Sequence, residues 1–200
     1  MLVRAIGIAL MSLTVCATGA QARTQVNTYT PFEPNGAVRA DLRLDVRLGG
    51  MCWGPAEAPV ATPALRCSVA SAIQDPCFAP PGGLDSDDPA VVCARSPWAR
   101  TVVRLHVSQL DAEPESTAHP ALPWAIVLAS GKRCVLAQGG TSADGAGHRL
   151  NYFCAVRGPY LWGSVDRSRP TWRILASRSP GTVGTTPSGQ RKVAIRAAWR

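Results

Sequence analysis

Apolar and polar residues alternate without a break over residues 38–48. Val38, Ala40, Leu42, Leu44, Val46 and Leu48 are separated by Arg39, Asp41, Arg43, Asp45 and Arg47. A period of two over this length belongs to a β-strand with every apolar side chain on one sheet face, whereas a helix would scatter them around its circumference. The apolar face is expected to be buried and the Arg/Asp face solvated, with charges paired across strands. Gly49-Gly50 is expected to end the strand.

Further strands are predicted along the chain. Residues 101–107 (TVVRLHV) form one, and residues 124–129 and 134–138 form a β-hairpin around the turn Ser130-Gly131-Lys132-Arg133. Residues 149–156, 171–178 and 192–199 complete the set. Between them lie a Pro- and Cys-rich region to about residue 98, where regular structure should be short and order supplied by crosslinks, a polar connection at 108–123 with Pro114, Pro120 and Pro123, a Gly-rich loop at 139–147, and a flexible loop at 180–189. Residues 23–37 are polar, hold two prolines and lack periodicity, as an extended leader would. The pattern predicts an all-β, or mainly β, chain. Its expected form is a small antiparallel sandwich or barrel with long Pro/Gly-rich loops, in one domain over 38–200.

Composition supports this picture. The chain has 200 residues, 46% of them hydrophobic and 17% charged, which suits one domain with a real core and excludes general disorder. With 18 Gly and 17 Pro, turns outnumber long helices, and no glycine triplet or heptad runs through the chain.

Seven cysteines and the N-terminus fix the expected compartment. Arg4, the apolar run at 5–15 and Ala20-Gln21-Ala22 read as a signal peptide over 1–22, cleaved after Ala22. Leu13-Thr14-Val15-Cys16 is a rival lipoprotein signal, with Val15 atypical before the cysteine. Either route leaves Cys52, Cys67, Cys77, Cys93, Cys134 and Cys154, an even set expected to form three disulfides in an exported protein. No C-x-x-C pair suggests zinc. Their connectivity stays open, with Cys52–Cys67 and Cys77–Cys93 favoured as short loops and Cys134 and Cys154 placed on successive strands. No stretch after the signal is long and apolar enough for a transmembrane span. The expected location is therefore periplasmic or extracellular.

Asp75-Pro76-Cys77-Phe78, the segment 128–134 (LASGKRC) and the segment 162–172 (WGSVDRSRPTW) resemble small exported cysteine-containing proteins of bacteria. The similarity covers roughly residues 50–199. It implies an extracytoplasmic bacterial module and brings no active site with it.

The chemistry-bearing residues yield few catalytic candidates. His106 is expected on the polar face of a strand, His119 in a loop before Pro120, and His148 at the end of the Gly-rich loop. None stands in H-E-x-x-H. No G-x-S-x-G elbow occurs, and the cysteines are expected to be oxidised. Asp85-Ser86-Asp87-Asp88 reads as solvated loop acid rather than a Ca²⁺ loop, because Pro89 follows and no Glu stands at the twelfth position. Asp166 is expected to shape a turn before Pro170. No cofactor or metal is expected.

Charge is distributed unevenly. Residues 23–131 carry eight Arg against eleven acids, while residues 132–200 carry twelve bases against Asp144 and Asp166 alone. This asymmetry points to an anionic partner: an acidic envelope polymer, a phosphate-bearing headgroup or nucleic acid, with another protein as the remaining class. Arg157, Tyr160, Trp162, Arg167, Arg169 and Arg173 form the expected binding surface of a non-catalytic interaction module. Two rivals are an envelope-polymer hydrolase using Asp166 with a distant acid or His148, and a secreted inhibitor presenting the loop 80–88 to a foreign enzyme.

Overall fold

A computed structural model describes residues 23–58, 63–84, 88–111, 122–154, 158–180 and 184–200. The expected signal at 1–22, and with it Cys16, lies outside the described residues, as do Asp85, Ser86, Asp87, His119 and Arg157. The described chain is all-β and stapled by three disulfides, with no helix.

Its strands close into two rings rather than one. The first ring holds β2 (Arg43–Pro55), β3 (Ala64–Val69), β4 (Ala72–Phe78), β5 (Ala90–Cys93) and β6 (Thr101–Leu110). The second holds β7 (Ala125–Leu128), β8 (Arg133–Leu136), β9 (Leu150–Cys154), β10 (Tyr160–Asp166), β11 (Arg173–Ser177) and β12 (Arg191–Trp199). Strand count dictates how each closes. Five strands in an up-and-down meander begin and end pointing the same way, so β2 meets β6 in parallel. Six end opposed, and β12 meets β7 antiparallel. The undivided domain expected over 38–200 thus contains two barrels, with the connection at 111–124 between them.

Each barrel has its own core. Leu65, Val91, Leu105 and Val107 pack with the Cys52–Cys67 and Cys77–Cys93 bridges in the first. Ile126, Tyr152, Leu161, Ile174 and Ile195 fill the second, beside Cys134. All three disulfides join directly opposed residues of neighbouring strands. The Cys134–Cys154 bridge links β8 to β9.

A third apolar cluster joins the barrels. Tyr29, Phe78 and Trp124 meet with ring centroids 5.4–6.0 Å apart, and Trp98 packs edge-on against Trp199 at 5.4 Å. A charged cluster runs alongside. Arg149, just before β9, reaches Glu57 at 2.6 Å, and Arg66 on β3 lies 3.3 Å from Glu57 and 3.8 Å from Asp75. Gln138, just after β8, donates to the Asp75 carbonyl. Burial pushes the Asp75 carboxyl up to about 7, against the opposing pull of the Glu57 N–H and the Arg66 guanidinium.

The N-terminal segment, expected as an extended leader, is built into the fold. β1 (Gln25–Asn27) pairs in parallel with β12, and Tyr29 and Phe32 are buried in the inter-barrel cluster. Thr24 Oγ1 donates to the Ile195 carbonyl at 2.6 Å and accepts from the Trp172 N–H at 2.8 Å. A segment with scattered aromatics and no period can still fill a groove whose shape other strands supply.

The strand expected at 38–48 is also corrected. β2 begins at Arg43 and runs through Gly49-Gly50 to Pro55. Gly49 takes a φ of +74°, and a Cβ on Gly50 would lie 2.4 Å from Leu105 Cγ, so both glycines are needed to carry the strand past a bulge. β3 pairs with 51–55, which leaves 43–50 with β6 as the one strand beside them among the described residues. Leu44, Val46 and Leu48 consequently face solvent rather than a core.

The loop at 180–189, expected to be flexible, packs where it is described. The Gly184 N–H bonds the Ala143 carbonyl, Pro187 is buried, and Gln190 Nε2 donates to Asp144 at 3.0 Å.

Candidate anion-binding site

The segment 166–173 crosses from β10 to β11 and carries Arg167, Arg169 and Arg173, half of the expected binding surface. Asp166 sits directly opposite Arg173 in the β10–β11 pairing. Its carboxylate accepts from the Ser168 N–H at 3.1 Å and the Ser168 hydroxyl at 2.6 Å, which folds the chain into the expected turn before Pro170. From β12, across β11, Lys192 Nζ reaches the other Asp166 oxygen at 2.8 Å. The Lys192 and Ser168 hydrogen bonds hold the Asp166 carboxyl well below the usual carboxylate range.

Around this turn Asp166, Ser168, Arg169, Thr171, Arg173 and Lys192 line an open polar cavity of about 290 Å³. Three bases share it with one acid. Since Asp166 is matched to Lys192, the charges of Arg169 and Arg173 remain as the excess; neither forms an ion pair among the described residues. Two guanidiniums suit an oxyanion, because each planar fork can donate two parallel hydrogen bonds.

The other described members of the expected surface do not line the cavity. Arg167 places its guanidinium 4.5 Å from the Trp172 ring centroid, stacked on the half-buried indole beside the cavity. Tyr160 stands at the opposite end of β10, about 20 Å along the strand from Asp166, with its ring against Phe153 at 6.4 Å. Trp162 is 1% exposed and cannot serve as a stacking platform. Its indole N–H donates to Ser177 Oγ at 2.9 Å, and the His148 side chain lies against the neighbouring Gly163. Tyr152 is fully buried, its hydroxyl bonded to the Pro123 carbonyl. Lys192, Ser168 and Thr171 were not among the expected site residues. Only the β11–β12 register, Leu175 opposite Lys192, brings the lysine within reach.

The histidines are tied into local pairs. His106 Nδ1 lies 2.7 Å from Asp88. His148 Nδ1 lies 3.0 Å from Asp144 Oδ2, inside a knot of hydrogen bonds from Ala146 N–H, His148 N–H and Gln190 to the same buried carboxylate. Those bonds, Gln190 foremost, hold the Asp144 carboxyl far below its ordinary value. Asp166 and His148 thus have separate partner sets, and Asp144 ties the 139–149 loop to the 184–190 segment. Among the described residues no group of three His, Cys, Asp or Glu side chains is placed to hold a metal ion, and no helix is long and apolar enough to cross a membrane. No family model, curated protein or solved structure matches the chain.

Proposed function

We propose that the chain is an exported, non-catalytic binding protein of the bacterial envelope or its surroundings, whose C-terminal barrel takes an anionic group of an envelope polymer between β10 and β11. One observation carries this reading: Arg169 and Arg173 share an open polar cavity of about 290 Å³ while the acid beside them is already matched to Lys192. Three disulfides suit an oxidising compartment, which supports export. Burial of Trp162 and Tyr152 takes two of the C-terminal aromatics away from stacking on bases, which favours a sulfate-, phosphate- or carboxylate-bearing polymer over single-stranded nucleic acid.

Titration with polyphosphate, dextran sulfate and polygalacturonate tests the reading, with single-stranded DNA as the comparison. At least one of the three polymers binds the wild-type chain, more tightly than the DNA, with an affinity that falls as salt rises. Arg169→Glu with Arg173→Glu lowers that affinity at least tenfold, about 1.4 kcal/mol or more. Unchanged binding by the double variant, or binding of none of the three polymers, refutes it.

A further inference from the structure

The first barrel carries an exposed edge with an unusual sequence symmetry. Residues 43–50 of β2 pair with β6 on one side, and no described strand pairs with them on the other. Along that open edge Leu44, Val46 and Leu48 are 42%, 54% and 74% exposed. The Gly49 bulge inserts one extra residue, so the outward parity changes and Met51 and Trp53, also exposed, continue the same apolar row. Asp45 and Arg47 share the opposite face, with Arg47 Nη2 2.9 Å from Asp45 Oδ2. Soluble proteins ordinarily blunt such an edge with prolines, inward charges or a covering element.

We propose that this edge pairs with the same edge of a second copy, in antiparallel register about a two-fold axis through Val46. The segment Leu44-Asp45-Val46-Arg47-Leu48 is complementary to its own reverse. Centred on Val46, it opposes Leu44 to Leu48, Val46 to Val46, and Asp45 to Arg47, so the apolar face meets itself and each carboxylate meets a guanidinium of the other copy. Shifting the centre one residue to Asp45 sets Asp45 against Asp45 and Arg43 against Arg47. A centre at Arg47 sets Arg47 against Arg47. Like charges directly opposed across strands are unfavourable, so charge selects the Val46 register. The same symmetry argues for a second copy over an unrelated extended peptide, since nothing requires a foreign strand to match a palindrome. The interface is isologous and closes at two chains.

Sedimentation and light scattering on the full chain test this. Wild type shows a dimer fraction that rises with concentration through the micromolar range. Asp45→Arg alone places four arginines around the axis, and Arg47→Asp alone places four aspartates there; each variant is monomeric. An equimolar mixture of the two singles restores a dimer containing one chain of each, and the double variant Asp45→Arg with Arg47→Asp dimerises like wild type. All these side chains are exposed, and circular dichroism of each variant checks that the fold is kept. A monomeric wild type overturns the proposal. So does a dimer that both single variants retain, which places the contact elsewhere, and so does a folded double variant that stays monomeric.

Discussion

Asp75 shows how one buried side chain couples folding to pH. Its carboxyl lies against Arg66 and the Glu57 N–H, in the seam where Arg149 and Gln138 beside the second barrel's strands meet Glu57 and β4 of the first. With a folded value of about 7 against an unfolded value near 4, the native state prefers the protonated acid. The stability this contributes is fully present below about pH 4 and is lost as pH rises through about 7. Asp75→Asn imitates the neutral acid and keeps an acceptor for the Glu57 N–H. Thermal melts across pH 4–8 then lose most of their slope in that window, and the variant melts above wild type at pH 8. An unaltered slope would assign the pH dependence to other groups. The contrast with Asp144 and Asp166 lies in their partners: hydrogen-bond donors hold both as carboxylates, which favours the fold above the acid range. At residue scale the sequence made the Asp166 turn legible, because an Asp before Ser and Pro acts on its own neighbourhood. It concealed the Asp75 environment, which is assembled from four distant segments.

At the scale of elements, the β3–β4 hairpin departs from the turn chemistry its geometry asks for. Its two-residue loop puts Ala70 at φ +46° and Ser71 at +66°, the left-handed pair of a type I′ turn, which favours Asn-Gly. Replacing Ala70→Asn and Ser71→Gly relieves that strain and stabilises the chain by about 0.5–2 kcal/mol, read from urea midpoints. A fall in midpoint would show that the side chains hold the loop by other means. Strands β7, β8 and β12 were readable from their apolar content: β7 is buried throughout, while β8 buries Cys134 and β12 buries Ile195, Ala197 and Ala198. β10 was not: Tyr160-Leu161-Trp162-Gly163 mixes buried positions on both faces, since Trp162 is buried with its indole bonded to Ser177 of β11 while Leu161 fills the barrel. The alternation at 38–48 was readable as strand and misleading as to burial. A period of two reports that one face differs from the other, and says nothing of what lies against it.

For the molecule as a whole, the two-ring architecture was invisible in the pattern, because a strand's periodicity is the same whichever ring it closes. What unites the rings is the aromatic seam around Trp124, which is 2% exposed and packs on Tyr29 and Phe78. Trp124→Ala should cost about 3–5 kcal/mol and resolve calorimetric unfolding into two transitions, one per barrel; a single transition at a lower temperature would mean the barrels unfold as one unit without that ring. The seam also depends on β1, and β1 depends on β12: Thr24 grips Ile195 across 171 positions of sequence. A ribosome delivers these partners at opposite ends of its work. β1 waits for its strand partner while the intervening described strands are made, so that pairing closes only once β12 is in place. Shortening the chain at Lys192 would therefore leave β1 without its strand partner and strip Trp199 from the seam, so a defect in one segment would be felt at another far from it in sequence.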